Sequence, residues 1–242
     1  MEPFRFKQFT VLQDRCAMKI GTDGVLLGAW VTVPEQANTI LDIGAGTGII
    51  ALQLAQRSAA ELIDALEIDE NAYEQCVDNF EASPWGDRLF CYHAALQEFT
   101  EEMLAEADHF EPYDLIISNP PFFSEDYKTP NTARDVARFT DALPFKELLE
   151  NIAPLLSEKG IFAVILPYRE KESFITLAAN EGLFPRRICN VRGSETSEVK
   201  RALMEFSFEK IEPVSESLTI EVARHQYTEE YKSLVRDFYL KL

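Results

Sequence analysis

Apolar residues gather in short runs at 39–42, 62–67, 89–92, 114–118 and 160–166, and each run is followed by a stretch whose apolar positions return at helical spacing. Strands alternating with helices imply a parallel sheet covered by its crossovers. The spacing predicts those helices over 48–57, 70–81, 96–106, 145–156 and 170–181, the last with Gly182 beyond it as a stop signal. After that the pattern changes. Runs at 187–192 and 202–208 are joined by Gly193-Ser194-Glu195-Thr196-Ser197-Glu198-Val199-Lys200, which leaves no room for a crossover helix. An antiparallel hairpin closing the sheet is expected there. The fold class predicted is therefore α/β, a mostly parallel seven-stranded sheet with an antiparallel hairpin at one edge and helices on both faces.

With 242 residues and 46% hydrophobic content, the chain lies in the range of one large α/β domain, and it contains no linker or repeat. A single domain over 1–242 is expected, with 1–38 as an N-terminal extension covering the site. The longest apolar candidate, 161–166, falls far short of the ~18 residues of a membrane span. Residues 1–5 do not read as a signal peptide, so a soluble cytoplasmic protein with no membrane partner is expected. Cys16, Cys76, Cys91 and Cys189 are widely spaced without a CxxC, and His93, His109 and His225 lack ligand spacing. Reduced structural thiols and no metal site follow.

Two segments carry candidate chemistry. Residues 40–52 read as a strand, a glycine turn and the first turns of a helix, with Asp42, Gly44, Gly46 and Gly48 in the order DxGxGxG. Glycines let the backbone approach a ligand, and the following helix points free N–H groups at it. The dinucleotide fingerprint would need glycine where Ile49 stands, and a Gly-Lys-Ser/Thr phosphate loop is absent. The second segment, Asn119-Pro120-Pro121-Phe122, ends the apolar run at 114–118. An Asn carbonyl oxygen and the main-chain carbonyl of Pro120 can each accept one hydrogen of a planar NH2 group, while Phe122 stacks on its plane. The adjacent prolines stiffen the turn and remove competing donors.

Together these segments resemble the Rossmann-like S-adenosylmethionine-dependent N-methyltransferases. The opening Lys7-Gln8-Phe9-Thr10-Val11 and Met18-Lys19-Ile20-Gly21-Thr22-Asp23-Gly24 narrow the likeness to the bacterial tRNA1(Val) (adenine(37)-N6)-methyltransferases, from about Phe6 to Phe208. That resemblance implies S-adenosyl-L-methionine as cofactor and an anticodon-loop adenine of tRNA as substrate, with no DNA partner. It assigns Asn119, Pro120 and Phe122 to the substrate amine. Glu67, at the end of the second strand, matches the position that holds the ribose hydroxyls, with Asp69 as a near alternative that also reads as a helix cap. Asp42 is expected to order the glycine loop or meet the cofactor's ammonium. The resemblance sets the adenine ring near His93-Ala94-Ala95, where the Asp often found in the family is missing. Thr22 and Asp23 read either as a helix N-cap or as a cover for the methionine end. Arg134 and Arg138, four apart, suit either a solvated helix face or a phosphate grip.

Three other readings share this chemistry. A protein-glutamine N5-methyltransferase presents the same NH2 to the same turn, although such enzymes bring a helical domain ahead of the core. An N2-guanine RNA enzyme has a related pocket, and a partner subunit can keep the fold without activity. The net charge of −18 weighs against a nucleic-acid substrate. Its distribution is uneven, since Glu98, Glu101, Glu102, Glu106, Asp108 and Glu111 form a run without Lys or Arg that reads as a solvated helix face. Positive clusters stand at Arg5, Lys7, Arg15 and Lys19, and at Arg186, Arg187, Arg192, Lys200 and Arg201, where they could guide RNA if the fold brings them to the rim.

Overall fold

Strand β3 (Thr39–Ile43) is buried at every position, and so are β4 (Leu62–Glu67) after its first residue and most of β7 (Leu156–Pro167). Side chains on a strand alternate between faces, so an unbroken apolar run needs cover on both sides. In β7, Ile161, Ala163 and Ile165 face one core, while Phe162, Val164 and Leu166 face the other. A computed structural model describes residues 2–106, 110–121 and 143–241. The first core is covered by α1 (Thr22–Trp30), α2 (Ile49–Arg57), α3 (Glu70–Glu81) and α7 (Glu229–Val235). The second lies under α4 (Leu96–Ala105), α5 (Phe145–Leu155) and α6 (Lys171–Asn180).

The remaining strands are β1 (Phe4–Arg5), β2 (Thr10–Val11), β5 (Leu89–His93), β6 (Tyr113–Ser118), β8 (Phe184–Ser194), β9 (Val199–Ser207), β10 (Val214–Ala223) and β11 (Gln226–Tyr227). β1 and β2 form a small hairpin; the other nine make one sheet in the order β11-β10-β8-β9-β7-β6-β3-β4-β5. From β7 to β5 every pairing is parallel. β9 runs antiparallel to β7 and to β8, and β10 returns parallel to β8.

The seven strands expected from the sequence are all present. The sheet continues past the hairpin by two more, so β8 and β9 are interior. Their apolar signal was diluted: β10 buries only Leu218, and Glu216 stands on its otherwise apolar face. That carboxylate accepts from Trp30 Nε1 at 3.2 Å and pairs with Arg187 at 3.0 Å.

The strand order turns at β3: α2 leaves toward one face, while the chain after β6 leads to α5 on the other. Open α/β sheets bind ligands in the crevice formed at such a point, outside the carboxyl ends of the strands. The chain ends meet on the first face, where Phe6 bridges Tyr239 and Lys7 N–H donates to Phe238 O at 2.8 Å. No described helix is long and apolar enough to cross a membrane.

Candidate active site

The glycine loop leaves β3 and is fastened to β4, since the N–H groups of Gly44 and Ala45 both donate to Leu66 O at 2.9 Å. Gly44, Gly46 and Gly48 have φ of 75°, 56° and 76°, left-handed values that L side chains rarely adopt. Their surroundings differ. A methyl built on Gly44 or Gly46 meets nothing within 4 Å, so these two form the open floor of the crevice. One built on Gly48 would stand 2.5 Å from Phe80 Cε1 and 2.9 Å from Cys76 Sγ, so this glycine seats α2 against α3.

Asp42, fully buried beneath the loop, accepts from Ala51 N–H in the first turn of α2 at 3.1 Å. Its other oxygen, Oδ1, is buried without a hydrogen-bond partner among the described residues. Burial pushes its carboxyl up to about 7, an effect that the Ala51 N–H opposes and nearby Glu67 adds to. Glu67 ends β4 and orders the floor from the side: Gly46 N–H donates to Oε2 at 2.7 Å and Asp69 N–H to Oε1 at 2.9 Å. Each oxygen keeps a second lone pair. Asp69 is the cap of α3, accepting from Ala72 N–H at 2.8 Å, which leaves Glu67 as the carboxylate facing the crevice.

Beyond Glu67, Ile68 exposes 54% of its surface, an apolar shelf between two carboxylates. His93 closes that side, with Nε2 3.0 Å from Ile68 O and its ring stacked on Tyr73 at 5.2 Å. Sequence reading marked His93 but passed over Ile68 and Tyr73. An isoleucine placed between two acidic residues was the available signal.

Asn119 follows β6, whose last residue, Ser118, pairs with Ile43 and donates its hydroxyl to Ile43 O at 2.9 Å. This bond joins the turn of Asn119 and Pro120 to the start of the glycine loop. Asn119 is partly buried, Pro120 buried and Pro121 exposed. Phe122, Arg134 and Arg138 lie outside the described residues. The first turn of α1 closes in from the other side: a methyl on Gly24 would lie 3.8 Å from Asn119 Nδ2 and 3.5 Å from Ile49 Cγ2.

Thr22 and Asp23 belong to that first turn instead of capping it. The cap position is Gly21, which has no side-chain acceptor to offer. Asp23 pairs with Arg201 at 2.8 Å, tying α1 to the start of β9. α1 is further held by Gln53, which donates to Val25 O at 3.1 Å, and by Arg57, which donates to Gly28 O at 2.6 Å and Val31 O at 3.0 Å.

Asn79, 1% exposed on α3, is a residue that sequence reasoning missed. It donates to Leu12 O and Thr47 O, both at 2.9 Å, and accepts from Leu12 N–H at 2.8 Å. A single amide thus joins the N-terminal segment to the glycine loop. Gln75 accepts from Arg15 N–H at 3.0 Å and extends the seam. Only a polar residue at a buried helix position hinted at this.

Most of the cations expected to guide RNA serve the fold. Arg15 pairs with Glu74 and Asp78, Lys19 donates to Cys16 O at 2.9 Å, and Lys7 donates to Arg236 O. Arg187 pairs with the buried Glu205 and with Glu216 while stacking on Trp30 at 4.3 Å. Arg186, near the amino end of β8, is level with the middle of β6, below Asn119 and three strands away from it.

A family profile described as "Methyltransferase small domain" matches residues 20–143. Among solved structures, a predicted O-methyltransferase from Agrobacterium tumefaciens has a TM-score of 0.66 at 18% identity, over 89% of this chain and 96% of its own. The ribosomal protein L11 methylase of Lactobacillus delbrueckii subsp. bulgaricus has a TM-score of 0.51 at 16% identity, over 77% of each chain. Both share the fold. Full-length relatives are much nearer in sequence. The tRNA1(Val) (adenine(37)-N6)-methyltransferase of Christiangramia forsetii is 60% identical over 241 residues, covering 100% of this chain and 99% of that protein. Its namesake from Bacteroides fragilis strain YCH46 is 46% identical over 239 residues, covering 99% and 98%. With a methyltransferase profile over half its length and relatives at such identity from end to end, the chain belongs to the tRNA1(Val) (adenine(37)-N6)-methyltransferase family.

Proposed function

We propose that the protein methylates the exocyclic N6 of adenine 37 in tRNA1(Val), using S-adenosyl-L-methionine. One observation carries the reading: the Ser118–Ile43 hydrogen bond fastens the Asn119 turn beside the glycine loop and Glu67 at one crevice. The residues present fit the cofactor. Gly44 and Gly46 leave the floor open, Glu67 keeps a lone pair on each oxygen for the ribose hydroxyls, and the orphaned Asp42 Oδ1 is an acceptor suited to an ammonium group. Thr22 and Asp23 stand in the α1 turn that flanks the methionine end.

Bound cofactor supplies an electrophilic methyl on a sulfonium. The chain's own part is orientation. Asn119 Oδ1 and Pro120 O accept the two N6 hydrogens, which turns the nitrogen lone pair out of conjugation with the ring and toward the methyl. No strong base is required, because the proton leaves after attack, when the nitrogen has become acidic. The substrate base must be flipped out of its stack, which costs least in a loop, and Phe122 is assigned to stack on it. The chain acts as one domain, with 1–38 covering the site, and a tRNA substrate puts the enzyme in the cytoplasm.

Purified protein incubated with methyl-labelled cofactor and undermodified total tRNA tests this. Labelled N6-methyladenosine confined to one valine tRNA is the expected result. Cofactor binding without any labelled nucleoside would overturn it in favour of a protein amide substrate or an inactive partner subunit.

A further inference from the structure

The carboxyl edge of the sheet is not level. Ser118 at the end of β6 pairs with Val164, yet β7 runs on to Pro167 and a helical turn at Tyr168–Glu170. Three further residues of strand raise that point roughly 10 Å above Ser118. The β8–β9 hairpin rises further still, since Arg201 lies opposite Pro167 and the turn lies beyond, between Ser194 and Val199. β10 keeps pace, with Glu221 level with Ser194 and a turn at Arg224 and His225. On the other flank β4 and β5 end together at Glu67 and His93. Among the described strands, the crevice holding Asn119 therefore has a wall on the β7–β10 side only.

Charge divides the two flanks in the same way. On the low side α3 carries Glu70, Glu74, Asp78 and Glu81, of which Glu74 and Asp78 share Arg15, α4 carries Glu98, Glu101 and Glu102, and neither helix contains Lys or Arg. On the wall, Lys200 and Arg224 are exposed and Arg192 is half-buried. Its carboxylates are Glu195, Glu198 and Glu221, together with Glu170 and Glu172, which pair with Arg169 and Lys171 at 3.1 Å. Tyr168 presents an exposed ring with Lys171 Nζ 4.9 Å from its centroid. A polyanion is repelled over α3 and α4, and finds cations with an aromatic face on the wall.

We infer that the wall is the track of the RNA. Arg192, Lys200 and Arg224 meet backbone phosphates flanking the target adenine, and Tyr168 stacks on a neighbouring base. The inference rests on the proposed function and names the recognition surface of that site. It accounts for tRNA binding by an acidic protein: β8, β9 and β10 bring these cations to adjacent strand ends, about 4.8 Å apart per strand, at the same end as Asn119.

The test compares Arg192→Gln/Lys200→Gln/Arg224→Gln with Lys159→Gln/Lys210→Gln, whose exposed cations stand at the opposite end of the sheet, near the start of β7 and beyond the end of β9 at Ser207. Filter binding to undermodified tRNA is measured across a salt series, with cofactor affinity by calorimetry alongside. The wall variant is expected to raise the tRNA Kd by at least tenfold, and to flatten the salt slope by about 2 for three contacts at ~0.7 each. Cofactor Kd should stay within about threefold, and the opposite-end variant should bind tRNA as the wild type does. Glu195→Gln/Glu198→Gln should tighten tRNA binding, a gain that misfolding cannot produce. Unchanged affinity in the wall variant, or equal loss in the opposite-end variant, overturns the track. If the wild type methylates tRNA in that same case, the proposed function survives. A wild type that neither binds nor methylates tRNA removes both.

Discussion

Asn119 owes its place to a neighbour, because the Ser118 hydroxyl on Ile43 O fixes where the turn leaves the sheet. Asn119→Ala removes one of two acceptors for the substrate amine and no group of the cofactor floor. The expected outcome is a loss of turnover on the order of 10²–10³, the scale of one preorganised hydrogen-bonding group, with cofactor Kd nearly unchanged. Single-turnover methylation at saturating cofactor measures it, and wild-type rates would remove Asn119 from the site. Asp42 makes a prediction in pH. Burial raises its folded-state pKa to about 7 from 3.8, so between those values the folded protein holds a proton that the unfolded chain has lost. This contribution to stability is complete below the unfolded pKa and is lost as pH rises toward 7. Asp42→Asn keeps an acceptor for Ala51 N–H and cannot ionise. Its Tm relative to wild type, without cofactor, should therefore climb from pH 5 to pH 8; a constant difference would refute the shift. At this scale the sequence was legible wherever backbone geometry dictated residue type, as at three left-handed glycines. It was silent at Asn79, whose bonds depend on Leu12 and Thr47 arriving from distant segments.

Elements were legible where burial is two-sided. Predicted 62–67 and 70–81 coincide with β4 and α3, because buried parallel strands and amphipathic helices write their periods plainly. The β8–β9 hairpin followed from the missing crossover, but its interior position did not, since β10 covers it with one buried side chain and a carboxylate. Arg187 belongs to this miss. In sequence it joins a basic cluster; in the fold it is the counter-ion of Glu205, which is 1% exposed and accepts Thr32 N–H at 2.6 Å. Arg187→Ala strands that carboxylate, and breaking such a buried pair costs about 3–5 kcal/mol. For a chain of this size the fall in Tm is on the order of 10 °C. A thermal scan within 2 °C of wild type would show that Glu205 finds other compensation. Arg187→Ala/Glu205→Gln should recover part of the loss, since no buried charge is then left alone.

For the whole molecule, the charge of −18 describes solubility better than it describes partners, because its distribution is uneven: α3 and α4 carry seven carboxylates and no Lys or Arg. The binding crevice also depends on contacts of the longest range in the chain. Asn79 holds Leu12 to the glycine loop, while the hairpin that carries Leu12 is closed by Phe6 on Tyr239 and by Lys7 N–H on Phe238 O. Deleting 238–242 should leave the sheet folded and loosen residues 2–20. Faster amide exchange there and weaker cofactor affinity are expected, and native protection of Leu12 would sink the idea. On the ribosome the same arrangement acts as a timer. Residues 4–12 complete their docking only when Phe238 and Tyr239 have emerged, so until then a nascent chain holds its cofactor more weakly.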